Sequence, residues 1–114
     1  MKSMRHLDLQ LRLTVFAVKS PTEGTFGKGI ATLLRGVEDF GSLNMAAKKI
    51  HMAYSKAWRI MKETEASFGF NLIDRDGARG STLTAEGRKI LETYELLERE
   101  GAVFLEGRFI ELLK

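Results

Sequence analysis

The chain has 114 residues and a net charge of +3, with 44% hydrophobic and 29% charged residues. This near-ordinary globular balance excludes a disordered chain and predicts a single domain, residues 1–114, with a real core. There is no cysteine, which excludes disulfides and thiolate metal sites and makes a reduced cytoplasm the expected setting; no run is apolar enough for a signal peptide or a membrane span.

Taken in chain order, Leu7, Leu9, Leu11, Leu13 and Val15 alternate with Asp8, Gln10, Arg12 and Thr14. Period two predicts a strand over 7–18 with one apolar face. Ser20-Pro21-Thr22-Glu23-Gly24 then reads as a turn. From Gly27, the stripe Ile30, Leu33, Leu34, Val37 and Phe40 predicts a helix over 27–40, stopped by Gly41.

A helix-turn-helix is expected over 44–68. Asn44 is the expected N-cap, because its side chain can accept from an orphan amide of the first turn. Ala46, Ala47 and Ile50 form the buried face, and the corner falls at His51-Met52-Ala53. Helices crossing through so short a turn need small residues where they approach, and Ala46, Ala47 and Ala57 supply them. The corner wants a left-handed backbone residue, and histidine tolerates positive φ better than most. A further helix carries Ala57, Trp58, Ile60, Met61 and Phe68 toward the core and ends at Gly69.

Residues 71–84 read as a hairpin, Asn71 to Arg75 and Ser81 to Thr84, around the turn pair Asp76-Gly77. A hairpin directly after the second helix is the wing of a winged helix. Thr84 is a good N-cap for a long helix over 85–113. If continuous, that helix spans roughly 40 Å at 1.5 Å per residue. Gly101 and Gly107 each weaken it by about 1 kcal/mol relative to alanine, so it either runs through or breaks and folds back. The expected fold class is mostly α with a small β component: a winged helix-turn-helix with an N-terminal strand and a long C-terminal helix.

Charge is unevenly spread. Residues 41–62 carry Lys48, Lys49, Lys56, Arg59 and Lys62 without an acid, whereas residues 90–114 carry six glutamates against Arg99, Arg108 and Lys114. The middle block is suited to a polyanion and the tail is not.

The run GSLNMAAKKIHMAYSKAWRIMKETEASFGFNLIDR, continuing to GSTLTAEGRKIL, resembles the N-terminal DNA-binding domain of ModE-type molybdate-responsive transcription regulators, over most of residues 7–105. LysR-type regulators share this winged-helix layout and are the second resemblance. The expected N-terminal strand, Tyr54-x-x-Ala57-Trp58 and Leu83-Thr84-x-x-Gly87 favour the first. Two departures stand out: Ala53 holds the N-cap position that a hydroxyl residue often fills, and the chain stops at Lys114, where full-length ModE regulators carry molybdate-binding domains. The resemblance therefore implies DNA binding and assigns no molybdate site.

The expected function is sequence-specific binding of double-stranded DNA by a transcription regulator without an effector domain of its own. Tyr54, Ser55, Lys56 and Arg59 occupy the positions that face base edges in the major groove, with Arg59 the expected base reader through its planar fork. Lys62, Lys48, Lys49 and Ser42 are expected at phosphates, and Arg75 and Arg79 on the wing at phosphate or the minor groove. The tail is expected to form a homodimer through Leu91, Tyr94, Leu97, Phe104, Leu105 and Phe109, matching a palindromic operator. No enzymatic residue set, cofactor or metal site is expected: His6 and His51 lack companion ligands, and Gly24-Thr25-Phe26-Gly27-Lys28-Gly29 lacks the spacing of a phosphate loop. The alternative from another class is a winged-helix adaptor that dimerises or binds a protein and does not bind DNA specifically.

Overall fold

The computed structural model describes residues 4–75 and 80–114. Its elements are α1 (Lys28–Phe40), α2 (Leu43–Lys49), α3 (Tyr54–Phe68), β1 (Ile73–Arg75), β2 (Ser81–Leu83) and α4 (Ala85–Leu113). The two strands are antiparallel, pairing Ile73 with Leu83 and Arg75 with Ser81. This is a winged helix-turn-helix. The expected turn pair Asp76-Gly77, and Arg79, lie outside the described residues.

Apolar side chains at helical spacing converge between the helices. Leu33, Leu34 and Val37 of α1, Ala46 and Ala47 of α2, Ala57 and Met61 of α3, and Leu91 and Tyr94 of α4 are buried together with Phe26 and Leu72. At Gly36, a side chain would begin 2.5 Å from Ala46 Cβ, so only glycine allows α1 and α2 to approach this closely. Gly41 ends α1 at φ 77°, where its amide donates to the Val37 carbonyl. His51 takes φ 56° at the corner, as its place between the two helices requires.

The cap of α2 is Ser42, not Asn44. Its hydroxyl accepts from the Met45 amide at 3.0 Å. Leu43 is buried, and drawing it into the first turn moves the cap and the helix start two residues earlier than expected. Thr84 caps α4 as its sequence position suggests, accepting from the Gly87 amide at 2.8 Å.

The expected strand over 7–18 does not form. Only Val15 pairs, with Phe26, through two backbone bonds of 2.8 Å, and Ala17 bridges to Ser20. A ladder needs a neighbouring strand, and the described residues offer none to 7–14. The alternation persists for another reason: odd positions from Leu9 to Ala17 are half-buried and even ones exposed, because this arm lies against a helix. The Tyr94 hydroxyl donates to the Leu13 carbonyl at 2.8 Å. A Cβ on Gly101 would sit 2.8 Å from Leu11 Cδ2, and Met4, Arg5, Leu7 and Asp8 line a groove with Glu106, Phe109 and Leu113. The arm thus runs antiparallel to α4.

Helix α4 is continuous through Gly101 and Gly107. Its 29 residues span about 43 Å, and the molecule measures 61 Å along its greatest extent. Its first half is tied to α1 by Lys28–Glu98, Arg35–Glu95 and Glu38–Arg88. Partners ascend on one helix as they descend on the other, so the two run antiparallel.

Candidate nucleic-acid interface

The N-terminus of α3 carries three exposed residues, Tyr54, Ser55 and Lys56, and exposed Arg59 lies one turn later. Ala53 supplies no side-chain cap to this helix, so the free amides of its first turn and their positive dipole end stay open toward an anion. Lys48 and Lys49 occupy the last turn of α2, where a cation is favoured. Lys49 Nζ also lies 5.3 Å from the centre of the Phe40 ring. Among the described residues, Lys48, Lys49 and Lys56 make no ion pair.

The other two cations are not free. Arg59 pairs with Glu63 at 3.2 Å and Lys62 with Glu65 at 3.3 Å. The acid-free block ends just before a turn that folds two carboxylates back onto it. Lys62 Nζ also lies 4.5 Å from the centre of the Trp58 ring. Ser42 spends its hydroxyl on the cap of α2 and is half-buried.

The wing is held against α3 along a single stripe. Glu65, only 5% exposed, accepts the amides of Leu72 and Ile73 through Oε2, at 2.7 and 3.2 Å. Farther along β1, the Arg75 guanidinium stands 4.3 Å from the centre of the Trp58 ring and donates to the Tyr54 hydroxyl at 2.6 Å. Residues 54, 58 and 65 share one face of a 3.6-residue helix, so β1 runs beside that face. Glu65 escapes sequence reasoning because a glutamate in a charged helix reads as solvated. The only signal for it is the pair of strand-start amides that need an acceptor.

The expected dimerisation set divides in three. Leu91 and Tyr94, each 1% exposed, belong to the domain's own core and are corrected out of the set: Tyr94 packs edge-on against Phe26 and bonds Leu13. Leu105 and Phe109 are half-buried and lie on the face of α4 that the arm follows. Leu97 and Phe104 are exposed, joined by Leu96, Val103 and Ile110. These last three recur every seven residues and form one line along the helix.

The family model of bacterial regulatory helix-turn-helix proteins of the lysR family matches residues 32–88, half of the chain. The chain belongs to this family. The matched segment runs from α1 through the wing into the first turn of α4, so it contains the candidate interface and omits the N-terminal arm. The transcriptional regulator ModE of Haemophilus influenzae is 31% identical over 71 residues, covering 59% of this chain and 28% of that protein. The chain therefore spans little more than a quarter of that relative's length.

Among solved structures, the CbnR DNA-binding domain in complex with DNA aligns with a TM-score of 0.58 at 30% identity, over 72% of this chain and 94% of that one. Full-length CbnR with its target DNA aligns at 0.57 and 31%, over 69% of this chain and 27% of that one. Both resemblances named from the sequence, ModE-type and LysR-type, thus have counterparts among known proteins. Among the described residues of this LysR-family chain, no helix is long and apolar enough to cross a membrane.

Proposed function

We propose that the chain binds double-stranded DNA sequence-specifically as a cytoplasmic transcription regulator, inserting the N-terminus of α3 into the major groove. The observation that carries this reading is the open end of α3: exposed Tyr54, Ser55 and Lys56, amides without a side-chain cap, and Lys48 and Lys49 on the helix before it, which make no ion pair among the described residues. CbnR, whose DNA-binding domain shares the fold at 30% identity, is a protein solved on DNA.

The exposed positions support a division of roles. Tyr54, Ser55, Lys56 and Arg59 meet base edges, and Arg59 must exchange Glu63 for guanine to do so. That exchange costs little, because an exposed pair one turn apart is worth only about 0.3–0.5 kcal/mol. Lys48, Lys49 and Lys62 meet phosphates, which position without specifying; Arg79 on the wing is assigned to phosphate or the minor groove. Two copies joined through Leu96, Leu97, Val103, Phe104 and Ile110 bind a palindromic operator. The reading rests on a stripe too apolar to be left in water on a helix whose other face is already occupied.

Titration of the chain onto random-sequence duplex at low salt tests the reading. Saturable binding that weakens steeply with salt is expected, with Lys48→Ala, Lys49→Ala and Lys56→Ala each flattening the slope by roughly one unit. Absence of binding refutes it and leaves the winged-helix adaptor.

A further inference from the structure

Arginine is donor-only, whereas a phenol can donate or accept. Since Arg75 donates to Tyr54 at 2.6 Å, the Tyr54 oxygen is the acceptor of that bond, and its own hydrogen is directed away from Arg75. The arrangement is held from three sides. Glu65 pins the start of β1 through the Leu72 and Ile73 amides, the strand register fixes Arg75 opposite Ser81, and the guanidinium rests over the Trp58 ring. Tyr54 is the first residue of α3 and stays exposed.

We propose that Arg75 is a positioning residue for base recognition, making the Tyr54 hydroxyl an obligate donor that selects a base with a major-groove acceptor over cytosine. Guanine, adenine and thymine each present an acceptor in that groove, while cytosine presents a donor amine. A phenol free to rotate would accept from that amine; one already accepting from Arg75 does so poorly. Arg75 is thereby committed to Tyr54 and Trp58 and neutralises no phosphate. This inference rests on the DNA-binding reading above.

The test compares the unsubstituted chain with its Tyr54→Phe, Arg75→Met and doubly substituted variants, first by selection from a random duplex pool and then by salt titration on the selected site. If the unsubstituted chain enriches no sequence, the DNA-binding reading itself has failed. Given an enriched site, Tyr54→Phe is expected to lose about 3- to 10-fold discrimination against cytosine at one position, as befits one hydrogen bond. Arg75→Met loses discrimination at that same position, the double variant loses no more than Tyr54→Phe alone, and the salt slope of Arg75→Met is unchanged. A slope reduced by about one unit with base preference intact makes Arg75 a phosphate contact and overturns the proposal. Additive losses at two different positions overturn it as well. Should Arg75→Met lose the native far-UV spectrum, Arg75→Ala is read in the same way. A Tyr54→Phe variant weakened equally on all four bases refutes the role without any change at Arg75.

Discussion

Glu65 and Leu72 are joined by a 2.7 Å bond from the Leu72 amide to a carboxylate oxygen that is almost fully buried. The same oxygen accepts from Ile73, and the other lies 3.3 Å from Lys62 Nζ. One side chain thereby sets where the wing leaves α3. Leaving buried amides without an acceptor costs about 1–3 kcal/mol, so Glu65→Ala is expected to lower stability by about 2–4 kcal/mol. Urea unfolding measures this, and a loss below about 1 kcal/mol would show that water replaces the carboxylate.

Two glycines of α4 are expected to respond oppositely to the same change. A Cβ on Gly87 would fall 2.0 Å from the Leu72 carbonyl oxygen, while one on Gly107 meets nothing within 4 Å. Gly107→Ala should therefore raise helix content and add up to about 1 kcal/mol, the ordinary helix preference. Gly87→Ala should cost about 1–3 kcal/mol, since backbone must shift to admit the methyl group. Thermal unfolding followed at a helical wavelength separates the signs.

Acid is expected to loosen α4 from α1. The Arg35 hydrogen bond holds the Glu95 carboxyl below the usual range, and the Arg88 bond does the same for Glu38. A carboxylate depressed in the folded state contributes stability above its unfolded value, near 4.5, and loses it as pH falls through the depressed value. The thermal midpoint should therefore decline below about pH 4.5. Glu95→Gln should show a lower midpoint at neutral pH and a shallower decline in acid. Because both partners are partly exposed, the difference at neutral pH should not exceed about 1 kcal/mol and should shrink in salt. An equal acid dependence in the variant would assign the decline to other carboxylates.

Self-association should depend on the outer stripe of α4 and be indifferent to the arm-facing side. Val103 and Phe104 are 71% and 69% exposed. Replacing both with glutamate should leave the far-UV spectrum intact and convert a dimer to a monomer in light scattering at micromolar concentration. A variant that remains dimeric would place the contact elsewhere.

Much of this architecture is legible in the sequence where local chemistry decides it. His51 at the corner, Gly41 and Gly69 past their helices and Thr84 before α4 act through their own backbone or first turn. Features decided by distant partners are not legible. Period two in residues 7–15 records one apolar face, and a helix covers it as well as a sheet would. Leu91 and Tyr94 sit on a tail with more apolar residues than one domain can bury, yet only the packing of Phe26 and Leu13 shows which of them stay inside. Charge counted by segment leaves Arg59 and Lys62 free, whereas Glu63 and Glu65, just outside that segment, fold back onto them.

Groove insertion by α3 is tested most directly by selecting bound duplexes from a random pool with the intact chain and with Arg59→Ala. The expected result is an enriched palindrome with half-sites about 34–36 Å apart, and an Arg59→Ala variant that keeps the motif but loses preference at one guanine in each half. No enriched sequence, or undiminished preference at every position in the variant, would contradict base reading by this helix.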